Sequence, residues 1–102
     1  MRQVDLSRRG TPGDPRTARL TRHLKARLED FGPGGPKVEE SDQQLGLVRA
    51  VFPGPDTAQV LKALEAFGVQ AGQEGEQAVF ALNPQVEFEQ LDYVWGCLFQ
   101  VL

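Results

Sequence analysis

The chain has 102 residues, 40% of them hydrophobic and 25% charged, with a formal net charge of −3. Such a length supports one small core, and such a composition excludes wholesale disorder. The single cysteine, Cys97, excludes an internal disulfide and a cysteine-based metal cluster. No apolar run approaches the roughly 20 residues needed to cross a bilayer, and the N-terminus lacks a signal-peptide apolar core, so a cytoplasmic location without a membrane partner is expected.

Charge is unevenly placed. Residues 1–28 carry eight basic and two acidic side chains, and residues 29–102 carry three basic and twelve acidic ones. The two parts attract, which predicts a basic helix lying against an acidic body. A nucleic-acid surface is the competing reading, but the basic segment has neither interleaved aromatics nor a recognisable binding module.

Residues 1–13, ending in Thr-Pro-Gly, show no sustained periodicity and read as a flexible N-terminal tail, with a single α+β domain over 14–102. Asp14 then offers a cap, and Pro15 stands at the first helical position. Leu20, Leu24, Leu28 and Phe31 follow at helical spacing, and Gly32-Pro33 stops the helix. His23 beside that stripe has no second ligand at a useful spacing and reads as a packed or surface residue. The glycine-rich stretch from Phe31 to Pro36 invites comparison with a phosphate loop, but no helix start follows it. It reads as a linker, with a short extended piece at Lys37–Glu39.

Leu45 to Phe52 reads as a strand covered on both faces. Pro53-Gly54-Pro55 turns the chain, and Asp56 with Gln59 predicts a capping box for the next helix. Val60, Leu61, Leu64 and Phe67 form that helix's apolar side, and Gly68 ends it in a left-handed conformation. Val69–Ala71 reads as a short strand, Gly72–Gly75 as a turn, and Glu76–Leu82 as a further strand. Asn83-Pro84 breaks the strand. Glu87 to about Val101 forms the last helix, with Phe88, Leu91, Val94, Trp95, Leu98 and Leu102 along one side. Cys97 on that helix reads as a buried, inert thiol. Gly96 in its middle costs about 1 kcal/mol of helix propensity, which close packing would explain. The sum is an α+β two-layer sandwich, a small and mostly antiparallel three-stranded sheet with helices on one face.

The run VFPGPDTAQVLKALEAFGVQAG and the later AVFALNP and FEQLDYVWGCLFQVL carry a family pattern. Val51-Phe52-Pro53-Gly54, Asp56, Leu61 to Val69, Gly72, Phe80, Leu82 and Leu91-Asp92-Tyr93 fall in register with it. Over roughly Arg16 to Leu102 the chain resembles the C-terminal small domain of class V aminotransferases and cysteine desulfurases, which use pyridoxal phosphate. The resemblance implies that the cofactor lysine sits on a large domain outside this sequence, and Lys25, Lys37 and Lys62 match no lysine motif. It also places the family's substrate-carboxylate arginine at Val79, which cannot form a bidentate ion pair. The loop that carries the desulfurase cysteine is reduced to Gln73-Glu74. The chain is therefore expected to be a stand-alone or truncated small domain, with no catalytic, cofactor-binding or metal-binding residues of its own.

The alternative is a small interaction or regulatory domain that binds a partner through its open sheet face or its basic N-terminal helix. If Val48, Ala50, Phe52, Phe80 and Leu82 lie under the helices, the opposite face carries Leu47, Arg49, Val51, Val79 and Ala81. A contiguous apolar sheet face commonly marks an interface. That face is expected to bind a second copy of the chain or another protein.

Overall fold

The computed structural model describes residues 3–102. The Asp14 side chain accepts a hydrogen bond from the Thr17 amide at 2.9 Å, Pro15 occupies the first turn, and α1 runs Pro15–Glu29. Leu20, Leu24 and Leu28 are fully buried along its inner face, as the helical spacing requires. The remaining helices are α2 (Thr57–Ala66) and α3 (Phe88–Val101). Gly68 follows α2 at φ 84°, a conformation open to glycine without strain. Glu87 and Gln90 form a reciprocal capping box at the start of α3. Asp56 stands at the α2 N-cap but makes no side-chain cap bond, so the expected box there does not form. The buried Thr57 instead donates its hydroxyl to the Glu76 carbonyl at 2.6 Å, tying the helix start to the sheet.

The sheet has five strands and is mixed, where the sequence suggested three and mostly antiparallel ones. In chain order these are β1 (Val4–Leu6), β2 (Lys37–Asp42), β3 (Leu47–Val51), β4 (Val69–Glu74) and β5 (Gln77–Ala81), and in space they run β1-β4-β5-β3-β2. β2–β3 and β4–β5 are antiparallel hairpins, and β5 also pairs antiparallel with β3. β3 and β4 are therefore parallel and joined through α2, with β5 inserted between them. β1 adds as a parallel edge on β4.

The two extra strands are both edges. Val4–Leu6 is not a loose tail, because Val4 and Leu6 are buried in the core and the Val4 amide bonds the Gly68 carbonyl at 2.8 Å. β2 extends beyond Lys37–Glu39 to Asp42, with a bulge between Val38 and Glu40 that keeps Glu40 on the open face. The β4–β5 turn is Gly75-Glu76 alone, and Gly72 lies inside β4 opposite Val79.

The core lies between the sheet and the helices. Val48, Ala50, Ala78, Phe80 and Leu82 face Leu20, Leu24, Leu64, Leu91, Val94 and Leu98 in one buried cluster. Cys97 is buried there as a free thiol. α3 packs on both α1 and α2, and its Tyr93 hydroxyl donates to the Phe67 carbonyl at 2.6 Å.

Two glycines have opposite surroundings. A Cβ on Gly10 would lie 2.9 Å from Pro84 Cδ and 3.0 Å from Asn83 Cα. A Cβ on Gly96 would meet nothing within 4 Å, so close packing does not account for this glycine. Gly96→Ala should therefore stabilise the chain by about 1 kcal/mol. Gly10→Ala should cost about 1–3 kcal/mol, as overpacking does. Urea unfolding of both variants checks the contrast, and equal effects would contradict it.

Candidate functional site: the open sheet face

The side chains that alternate with the core residues form the sheet's second face. Cross-strand register aligns Gly72 of β4, Val79 of β5, Arg49 of β3 and Glu40 of β2 in one row across four strands. The structure thus brings together all five residues singled out from the sequence, Leu47, Arg49, Val51, Val79 and Ala81, on this face.

Their exposure differs from the expectation of a contiguous apolar surface. Leu47 and Ala81 are only 6% and 4% exposed, while Val51 and Val79 are half-buried. Leu47, Val79 and Ala81 share a small cavity of about 190 Å³ with Ser7 and Arg9, so the N-terminal segment borders them. Arg49 divides the rest. Its guanidinium bonds Glu74 on β4 and lies 3.9 Å from Glu40 on β2, with 18% of the side chain exposed. Beside it, Gln77 donates to Glu39 at 2.8 Å. The face is an apolar strip crossed by an ion-paired arginine.

Val79 is the position where the family resemblance puts a substrate-binding arginine. It faces the open side and pairs directly with Arg49, which therefore brings a guanidinium to the same row from the neighbouring strand. That guanidinium already has two carboxylate partners. The sequence pattern could not show them, because Glu40 and Glu74 come from different hairpins.

Ionisable side chains elsewhere mostly join elements. Arg16 donates to the Pro84 and Val86 carbonyls and to Glu87, tying α1 to the start of α3. His23 and Arg27 both reach the same Asp92 oxygen at 2.8 Å. His23 also meets the Phe88 ring edge-on, and Arg27 lies over the Trp95 ring. These contacts place the basic helix against acidic α3 residues, and His23 serves as a packed, paired residue. The hydrogen bond from His23 is the strongest influence on Asp92 and, with Arg27, outweighs partial burial, so this carboxyl titrates below the ordinary carboxylate range.

Lysines offer no enclosed site. Lys37 and Lys62 are exposed, and Lys25 pairs with Glu29 at 3.3 Å across one helical turn. Among the described residues no group of three or more His, Cys, Asp or Glu could hold a metal ion. Among the described residues no helix is long and apolar enough to cross a membrane. Sequence reasoning missed Phe99, which is 54% exposed and stacks on Phe31 beside Trp95. It stands four residues after Trp95 at the edge of the apolar stripe, a spacing that could have found it, whereas its stacking on Phe31 is visible only in the fold.

No family model matches the sequence, and no curated protein matches it. Solved structures do match the fold. A mutant of the M. tuberculosis protein Rv3290c superposes with a TM-score of 0.72 at 16% identity, covering 85% of this chain and 21% of that one. A lysine aminotransferase from M. tuberculosis in the internal aldimine form gives 0.69 at 17% identity, with the same coverage of both chains. A transaminase from directed evolution by ancestral reconstruction gives 0.63 at 21% identity, covering 84% of this chain and 22% of its own. The chain thus spans about a fifth of the length of these structures and shares the fold of that part of an aminotransferase.

The shared Asp92 oxygen yields a pH prediction. A carboxyl held lower in the folded state contributes stability that is complete above its unfolded value, near pH 4, and is lost as pH falls through the folded value. Asp92→Asn should lower stability by about 0.5–1 kcal/mol at pH 7, the scale of part-exposed ion pairs. It should also flatten the acid limb of the stability profile. Urea unfolding between pH 2 and 7 reads both effects, and an unchanged acid limb would remove Asp92 from the account.

Proposed function

We propose that this chain is the small domain of a pyridoxal-phosphate-dependent enzyme of the aminotransferase fold, working by packing against other protein rather than by chemistry of its own. The observation that carries this reading is the fold match, 85% of the chain against about a fifth of an aminotransferase. Within that fold, the Val51-Phe52-Pro53-Gly54 turn and the Leu91-Asp92-Tyr93 helix start support the narrower assignment to the class V and cysteine desulfurase branch. Fold alone never assigns a reaction, so the remaining argument rests on the residues.

Those residues do not fit the cofactor. A Schiff-base lysine is held desolvated beside groups that lower its pKa, whereas all three lysines here are exposed or paired on the surface. Val79 offers no charge to a substrate carboxylate. Within the proposed role, the open face carrying Leu47, Arg49, Val51, Val79 and Ala81 is where a lysine-bearing domain, a second copy or another chain would contact this one, in a cytoplasmic enzyme. Arg49 and its carboxylates would set the register of such a contact, as charged groups do at interfaces.

A second reading, an interaction or regulatory domain acting through α1, is favoured by Arg19 and Arg22. Both are exposed, and neither has an ion-pair partner among the described residues.

The purified chain, mixed with pyridoxal phosphate and reduced with borohydride, should show only slow labelling spread over Lys25, Lys37 and Lys62. Intact mass and peptide mapping read this. Stoichiometric labelling of one lysine would contradict the proposal.

A further inference from the structure

One of the larger clefts lined by described residues contains arginine and no carboxylate, on a chain whose net charge is −3. It measures about 640 Å³ and lies between the Arg8–Pro12 segment and the Asn83–Gln85 segment. Four other clefts lined by described residues each include an Asp or Glu, among them Glu29 and Asp30 below α1, Asp5 beside β1 and Glu74 on the open face. The lining itself holds no acid, Asp5 pairs with Arg8 beside it, and Arg9, unpaired among the described residues, keeps its positive charge where an anion can approach both segments at once.

The two walls are fixed to one another. The Gly10 amide donates to the Leu82 carbonyl at 3.1 Å, and the Asn83 side-chain amide donates to the Arg8 carbonyl at 3.2 Å. The Gln85 amide donates to the Asn83 side chain at 2.9 Å. At the base the walls touch, which is why a Cβ on Gly10 has no room. A cleft built this way needs little ordering when a ligand enters, and that preorganisation preserves affinity.

Its donors are free to act. Arg9 is exposed and has no ion-pair partner among the described residues. Arg8 engages Asp5 through Nε at 3.2 Å, leaving the two terminal nitrogens of its guanidinium for another acceptor. The Thr11 hydroxyl and the Gln85 side-chain amide also lack partners among the described residues. Planar guanidinium groups bind carboxylate and phosphate oxygens in pairs, with geometry that a lysine does not supply. Pro12 and Pro84 add apolar ring surface suited to a short carbon skeleton.

We propose that this cleft binds a small organic oxyanion, a carboxylate or phosphate group held by Arg9 and Arg8, with Thr11 and Gln85 as further donors. The site adjoins the open-face cavity, which Arg9 also lines, and does not depend on the enzyme reading above. A ligand there would bridge the N-terminal segment to the connection between β5 and α3.

Amide chemical shifts of the full chain at low ionic strength test the proposal, with succinate in one titration and inorganic phosphate in another. The expected result is saturable shifts at Gly10, Thr11 and Gln85, with half-saturation in the millimolar range. Arg9→Gln should weaken binding at least fivefold while leaving distant shifts unchanged, and Arg19→Gln, removing an exposed arginine from α1, should leave binding intact. Saturation by one titrant alone identifies the oxyanion as carboxylate or phosphate. Shifts that rise linearly with both titrants would overturn the site. So would equal weakening by the two substitutions, since that is the behaviour of general charge screening.

Discussion

The backbone of Leu82 is the point on which the two layers close. Its amide donates to the Gly46 carbonyl at 2.7 Å, and its carbonyl accepts from Gly10 at 3.1 Å. Between the same two glycines sits Thr17, which is 1% exposed. A Cβ on Gly46 would lie 2.5 Å from the Thr17 methyl, and one on Gly10 would lie 3.2 Å from its hydroxyl. The backbone of one residue thus ties the end of β5 to the turn entering β3 and to the segment leaving β1, with the first turn of α1 packed between them through Thr17. Gly46 stands at φ 72°, so both its conformation and its missing side chain are required there. The N-terminal segment is consequently a structural part of the sheet.

That closure separates two surfaces with different chemistry. On the open sheet face, Arg49 is held between Glu40 and Glu74, and its flanking apolar residues are mostly covered. Such a face suits packing against protein, where a desolvated ion pair sets register more than it adds affinity. Around the Leu82 clamp the chain instead presents Arg8 and Arg9 over a rigid base, which suits an anion. Neither surface offers a buried lysine. The aminotransferase-like fold supplies the framework for both.

Local signals made the helices legible. Asp14-Pro15 and Gly32-Pro33 bracket α1 because capping and proline act within a few residues. Burial alternation also identified the inner face of β3 and β5 correctly, since Val48, Ala50, Phe80 and Leu82 have a period of two. The edges were illegible for a physical reason. Lys37–Asp42 is polar on both sides because an edge strand need not bury either, and Val4–Leu6 is too short to show a period. Glycines misled twice. Gly72 looked like a turn but lies flat in β4 opposite Val79, and Gly96 looked like a packing notch but is solvent-exposed. The Arg49 network and the stacking of Phe99 on Phe31 depend on residues distant in sequence, so no local pattern announces them.

Residues 4–10 complete the two-layer domain through the Leu82 clamp. Native-state hydrogen exchange of the full chain tests it most directly. The account predicts that the amides of Val4, Gly10 and Leu82 are protected together, opening in the same cooperative step as those of β4 and β5. Exchange of Val4 and Gly10 at unfolded-chain rates, while β4 and β5 stay protected, would contradict it.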